Sequence, residues 1–135
     1  MADIINFPAL IDQDSLMFSH GVSVDWDNVA ASRKDSVTGK KVIEAYTVMK
    51  KTASAKWVPV DADVDVSTLT DWGLIASDAY EDEAVSAADN YGLLIGGSFY
   101  TNMLPDYKAG NTTLAESIDG KKGFVLVSQY VDSRV

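Results

Sequence analysis

The feature that most constrains the fold is a strict alternation of apolar and other residues between positions 58 and 66. The apolar positions are Val58, Val60, Ala62, Val64 and Val66, and three aspartates separate the last four of them. A period of two residues is typical of a β-strand with one buried face. Pro59 cannot donate a backbone hydrogen bond, so this segment is predicted to be a half-buried strand at a sheet edge.

Four further short runs are rich in β-branched, aromatic and aliphatic residues, and they lie at 41–51, 72–80, 93–100 and 124–131. Only 111–118 is predicted as a helix, with Thr113 and Glu116 at capping-box spacing. Hydrophobic residues make up 47% of the 135 positions, which is enough for one domain with a core of its own. The predicted fold class is therefore mainly β, an α+β chain with little helix, in a compact β-rich domain.

The first thirty residues differ from the rest because their apolar side chains follow no regular period. Pro8 and Gly21 also interrupt this segment. Such a segment buries its apolar surface against its own domain or against a partner, and the sequence leaves both alternatives open. We describe it as an extended N-terminal arm over 1–30, followed by a β-rich domain over 31–135.

The charge of the chain excludes several classes of partner. Acidic residues number 20 and basic residues 11, which gives a net charge of −9. A surface this acidic repels nucleic acid and anionic membranes, so neither is an expected partner. No apolar run is long enough to span a bilayer, and the first residues lack the pattern of a signal peptide. We expect a protein that is made in the cytoplasm and used without export.

Searches for catalytic and metal-binding patterns give no match. The chain has one histidine, His20, and no cysteine, which makes a zinc site improbable on composition. The acidic run from Asp61 fails the calcium-loop pattern, because Val66 and Trp72 stand where glycine and glutamate are required. Gly96 and Gly97 are not followed by the lysine of a phosphate loop, so a bend or bulge inside an apolar strand is the better interpretation.

The order of these segments resembles that of the head decoration proteins of tailed phages, the lambda-type capsid-stabilising family. Gly73, Leu74 and Ile75 with Asp78 match one signature of that family, and 93–97 followed by Leu104 and Pro105 match a second. The similarity extends from residue 41 to residue 131. Residues 1–40 have no clear counterpart in it.

The resemblance implies a non-enzymatic protein of the virion, without cofactor, metal or small-molecule substrate. Its partners would be the major capsid protein and two further copies of itself, in a homotrimer on the capsid exterior that stabilises the expanded shell. The N-terminal arm would bind the shell, as in modes where an extended segment adds a strand to a sheet. We predict that its anchors are Ile4, Ile5, Phe7, Leu10 and Ile11.

Two alternatives remain open at this stage. The first is another structural component of the virion, in the tail, neck or fibre. The second is a carboxylate-based hydrolase or a carbohydrate-binding module that would use Trp26, Trp57 or Trp72 to stack on a sugar.

Overall fold

A computed structural model describes residues 9–81 and 91–128 of the chain. This part is mostly β-structure, which confirms the predicted fold class. The strands are β1 (Met17–Val22), β2 (Val42–Ile43), β3 (Val48–Lys51), β4 (Trp57–Pro59), β5 (Trp72–Ile75), β6 (Ala79–Tyr80), β7 (Tyr91–Tyr100) and β8 (Gly123–Val127). The two short helices are α1 (Pro105–Lys108) and α2 (Thr112–Glu116).

The main sheet curls until its two ends meet. Its strands follow the order β1, β7, β5, β3, β4, and all these neighbours are antiparallel. Just after β1, Val24 forms a parallel bridge with Trp57 in β4. Two backbone hydrogen bonds of 2.9 Å form this bridge. The Trp57 N–H donates to the Ser23 carbonyl, and the Asp25 N–H donates to the Trp57 carbonyl. The side chains on one face of the sheet therefore point into an enclosed core, and those on the other face pack against the helices.

The central strand is β7, which contains the glycine pair. One of its edges pairs with β5 at Leu93 and Leu94 and then, from Gly96 onward, in parallel with β8. Its other edge pairs with β1, where Met17 opposes Gly96 and Phe18 opposes Leu94, so that Ile95 is an extra residue. The predicted strand at 93–100 and the predicted bulge are both confirmed.

The bulge changes which face of β7 is buried. Before it, Leu93 packs inside the curled sheet in a cluster with Ile75 and Met49. Leu94 faces the opposite side, in the cluster that contains Leu114 of α2. After the bulge, every second residue from Gly97 is buried on the helix side, while Ser98 and Tyr100 are half-buried on the other.

Two predicted strands are shorter in the structure than in the sequence analysis. The segment 41–51 is not continuous, because Tyr46 adopts a φ of 73° and turns the chain between β2 and β3. Its ring packs against Phe99 with the ring centroids 5.0 Å apart. The segment 58–66 leaves the sheet after Pro59. Val60 and Val66 are buried as its alternation predicts, but the prediction is wrong for Ala62, which is exposed, and for Pro59, which is buried.

The described part of the predicted arm, residues 9–30, belongs to the domain. β1 is a strand of the main sheet, and Val22, Val24 and Val29 are buried in the core inside it. The sheet and its core thus extend across the predicted boundary at residue 30. Of the two alternatives for this segment, packing on its own domain describes residues 9–30, and residues 1–8 lie outside the described residues.

Candidate functional site

The most prominent surface feature is an exposed sheet face built by β7, β8 and the chain on the other side of β7. Among the residues of 9–81 and 91–128 that point outward from it, none is charged. We call this surface the outward face, and its residues are Ile11, Met17, Ser98, Tyr100, Val125 and Val127. The exposed fractions of its four aliphatic side chains lie between 39% for Ile11 and 54% for Val125.

Strand register brings these six residues to one side. In the parallel pair, Val125 opposes Ser98 and Val127 opposes Tyr100. On the other edge of β7, the Ile11 N–H donates to the Ser98 carbonyl at 3.0 Å. Because side chains alternate along a strand, the residues that lie between the outward-pointing ones on β7 and β8 point to the core. Phe99 and Phe124 are accordingly buried, with their ring centroids 6.2 Å apart.

Glycines form the floor under Met17, at one end of the outward face. A Cβ atom placed on Gly96 or on Gly123 would lie 2.5 Å from the Met17 Sδ atom. The two glycines oppose each other in the β7–β8 pair, so the Met17 side chain lies across both strands. This close approach is the physical reason for glycine at Gly96, and it agrees with the structural interpretation of the glycine pair.

The outer edge of β8 is closed by the turn that precedes the strand. The Leu126 N–H donates to the Asp119 carboxylate at 3.0 Å, and the Gly120 N–H donates to the Phe124 carbonyl at 3.1 Å. A β8 edge occupied in this way does not offer these groups to an added strand. Contacts on this side of the domain must therefore use the outward face rather than the edge of β8.

The described chain begins and ends beside the same residue. The Tyr100 N–H donates to the Ala9 carbonyl at 2.8 Å, and Tyr100 opposes Val127 on its other side. At least eight residues precede Ala9 and seven follow Ser128. Both terminal segments thus connect to the domain at the same end of the outward face.

The predicted anchors divide into three groups. Leu10 forms a bridge with Phe99 and packs against the core on the helix side, so it holds the segment to its own domain. Ile11 points to the outward face. Ile4, Ile5 and Phe7 lie outside the described residues.

Sequence reasoning missed the other apolar members of the outward face. Met17 lies in the N-terminal segment that has no regular period, and the exposed valines of β8 lie in a run whose composition predicts only a strand. The signal was present in the run from Phe124 to Val127, where apolar residues occupy both faces of the strand. Such a run indicates either burial on both faces or an exposed apolar face, and the sequence alone does not distinguish them.

The acidic run from Asp61 to Asp65 has structural partners. Asp61 pairs with Arg33, with 2.8 Å between the Asp61 Oδ1 and Arg33 Nη2 atoms. Asp63 accepts the N–H of Leu114 in α2 at 2.8 Å, and Asp65 accepts the Ser67 N–H at 2.8 Å. Asp63 thus takes the place of the predicted capping box, since Asn111 precedes α2 without a side-chain cap.

The side chains of all three tryptophans pack in or against the core of the domain. Trp57 and Trp72 are buried, and Trp26 is half-buried against the core inside the sheet. Trp72 stacks on Phe124 at 5.6 Å, and the Lys122 ammonium lies 4.6 Å from its ring centroid. None of these three rings offers the exposed flat surface that sugar stacking requires.

The carboxyl group of Asp106 is buried between α1 and the main sheet. Its Oδ2 atom accepts the Val48 N–H at 2.8 Å, which ties α1 to the start of β3. Burial raises the pKa of Asp106 to about 6, although the Val48 hydrogen bond and the charge of Arg33 act in the opposite direction. Because it is enclosed by the domain, this group is not accessible to a substrate.

Within 9–81 and 91–128, no three histidine, cysteine or acidic side chains are grouped so that they would hold a metal ion. His20 is exposed on β1, where its Nδ1 atom is 2.7 Å from the Ser19 Oγ atom. The same part of the chain contains no helix with the length and hydropathy needed to cross a bilayer.

Comparison with models of known protein families gave no match, and no curated protein matched the chain. The two segments on which the resemblance depends form neighbouring central strands. Leu74 in β5 opposes Leu94 in β7, and Ile75 opposes Leu93. Asp78, which follows β5, accepts the Ala45 N–H at 2.7 Å. These segments therefore build the fold, and neither of them supplies a side chain to the outward face.

Proposed function

We propose that this chain is a non-enzymatic structural protein of a phage virion, which binds the exterior of the capsid as a homotrimer and stabilises the expanded shell. The observation that carries the proposal is the outward face, an uncharged apolar surface at whose end both terminal segments connect to the domain. Surfaces of this kind are used for contacts between proteins. The proposal also uses the resemblance in segment order described above.

The arrangement of polar groups favours this function over the hydrolase alternative. The acids from Asp61 to Asp65 bind backbone N–H groups or Arg33, and Asp106 is enclosed. A glycosidase needs two carboxyl groups that face a common open cleft. No such pair occurs among these acids.

In this proposal, residues 1–8 bind the major capsid protein. This segment includes Ile4, Ile5 and Phe7 and connects to Ala9 next to Tyr100. Three such segments on one trimer bind together, so a modest affinity of each becomes strong retention through effective concentration. A protein that binds only the expanded shell stabilises that state in proportion to its affinity.

The test is co-sedimentation with empty expanded shells of the major capsid protein encoded in the same genome. The variant lacks residues 1–8, and the matched control lacks residues 129–135. A longer deletion, of residues 1–25, would be unsuitable, because it also removes β1 and the buried Val22 from the domain. We expect the first deletion to lose shell binding with an unchanged unfolding midpoint, and the control to bind as the full chain does.

Two outcomes contradict the proposal at different levels. Unchanged affinity after removal of residues 1–8 would refute the role of this segment. A full chain that never sediments with expanded shells, at concentrations where it is folded, would refute the capsid function itself.

A further inference from the structure

A cleft of about 540 Å³ opens at one end of the main sheet, and the proposed function makes no use of it. One of its sides is the loop that joins β3 to β4, and the other is the segment that leads into β5. Its lining includes Lys50, Lys51, Thr68, Leu69, Thr70 and Asp71. Clefts that bind ligands have volumes of this order.

Both lysines of this cleft keep their charges available to a ligand. Lys50 and Lys51 are the last two residues of β3, and both are exposed. Within the described part of the chain, their ammonium groups take part in no ion pair and in no side-chain hydrogen bond. Two lysines and the aspartate give these lining residues a charge of +1, whereas the whole chain carries −9.

A third cation lies beside the cleft because of strand register. Lys50 opposes Trp72 in the β3–β5 pair, and the side chains of opposed residues lie on the same face. The Lys122 ammonium is 4.6 Å from the centre of the Trp72 ring and donates to the Trp72 carbonyl. Burial lowers the pKa of this ammonium, and the charge of Asp71 acts in the opposite direction. Asp71 thus offsets the charge of Lys122, and those of Lys50 and Lys51 stay uncompensated.

We infer that this cleft binds a short acidic segment of a partner protein, with Lys50 and Lys51 paired to its carboxylates. The inference goes beyond the proposed function, in which residues 1–8 bind the shell. It concerns a different surface, and it holds whether or not the chain binds a capsid.

Charge and size select a short segment as the occupant. A long polyanion such as nucleic acid extends over the acidic remainder of the surface and is repelled there. A segment of a few residues stays within the cleft, and salt at about 0.15 M screens charges that lie farther away than about 8 Å. Electrostatic complementarity of this kind sets which partner is accepted.

The uncharged part of the lining favours a peptide over a small anion. Leu69 is half-buried and offers an apolar contact, and the exposed Thr70 hydroxyl can donate to or accept from a peptide backbone. A small inorganic anion uses neither the apolar contact nor a hydrogen-bond acceptor. The acidic run from Asp61 to Asp65 is bonded within its own domain, so this run in a second copy is not the occupant.

The test uses the full chain and, as the probe, a peptide of six glutamates that carries an uncharged dye. Binding is measured by fluorescence anisotropy at about 0.15 M salt. The cleft variant is Lys50→Gln with Lys51→Gln, and the matched control is Lys34→Gln with Lys108→Gln, two exposed lysines outside the cleft. Both double variants change the net charge from −9 to −11, so the long-range repulsion of the peptide is equal in the two.

We expect the wild type and the control variant to bind the hexaglutamate with dissociation constants between about 10 µM and 1 mM. The cleft variant should bind at least about tenfold more weakly, with an unchanged midpoint of thermal unfolding. A wild type that does not bind the peptide at concentrations up to about 1 mM would overturn the inference. Equal affinities of the two double variants would overturn it as well.

Three further measurements decide what occupies the cleft. A peptide of six glutamines should not bind, and equal binding of it would show that charge is not the determinant. Complete displacement of the hexaglutamate by inorganic phosphate, at constant ionic strength, would show a site for small anions and refute the peptide. Self-association of the wild type that is lost in the cleft variant would make a second copy the occupant, which also contradicts the inference.

Discussion

Replacing the buried carboxyl group of Asp106 with an amide is expected to remove a pH dependence of stability. Burial raises the pKa of this group from 3.8 to about 6 in the folded chain. The folded state therefore holds the Asp106 proton more tightly than the unfolded state does. The contribution of this group to the free energy of unfolding is complete below about pH 4, and it is lost as the pH rises through 6.

The size of the effect follows from the two pKa values. Their difference corresponds to about 3 kcal/mol over the whole titration. The chain has a pI near 4.3, so measurement at lower pH brings it close to zero net charge, where proteins associate and precipitate. Between pH 5 and pH 8 the expected loss is about 1 kcal/mol, because part of the titration lies below this window.

The assay is urea unfolding of the wild type and Asp106→Asn at pH 5, 6, 7 and 8. Asparagine keeps an oxygen for the Val48 N–H, but it does not titrate. Relative to the variant, the wild type should lose about 1 kcal/mol from pH 5 to pH 8. A difference between the two proteins that stays constant over this range would refute the buried, protonated carboxyl group.

Asp65→Asn is the matched control for this experiment. The hydrogen bond from Ser67 lowers the pKa of the Asp65 carboxyl, so Asp65 is ionised above pH 5 in the folded and the unfolded chain. Its substitution alters the cap at Ser67 and with it the overall stability, and it should add no pH dependence between pH 5 and pH 8.

Three further predictions concern packing and helix capping, and each is checked by the midpoint of urea unfolding. Gly73→Ala should cost about 3 kcal/mol or more, because its Cβ atom would lie 2.7 Å from a backbone carbonyl oxygen of β7. Gly96→Ala should cost about 1 to 2 kcal/mol, and Met17→Ala in the same chain should cancel most of that cost, because the clash is with the Met17 side chain. Asp63→Ala should cost about 1 kcal/mol through the lost cap of α2, whereas Asp63→Asn should cost a few tenths. Equal effects of the two substitutions at Asp63 would contradict the capping role.

The fold class was predictable because it depends on local patterns. The alternation from Val58 to Val66 correctly marked Val60 and Val66 as buried, but it was wrong for Ala62, which is exposed where the chain has left the sheet. Asp61 binds Arg33 and Asp63 binds the Leu114 N–H, and both partners are distant in sequence. Asp65 binds the Ser67 N–H, two residues away. Periodicity reports which side of a chain is buried, but it does not report where hydrogen bonding between strands stops.

The turn at Tyr46 was not predictable, since a positive φ at a tyrosine has no local signature. It is held by distant contacts, including the ring of Phe99 and a hydrogen bond from the Tyr46 N–H to the Ile75 carbonyl. The outward face escaped prediction for a similar reason. Ile11, Met17 and Val125 are far apart in sequence, and only the register of β7 brings them to one surface.

The pairing of β1 with β7 also determines when this protein can complete its fold during synthesis. β7 follows β1 by about 70 residues, and a ribosome needs roughly 4 to 14 s to add them at about 5 to 20 residues per second. During that interval Met17 and Phe18 have no partner strand within the nascent chain. Chaperone binding at this early segment, or slow translation before β7, would therefore change the yield of soluble protein without any change in the stability of the finished domain.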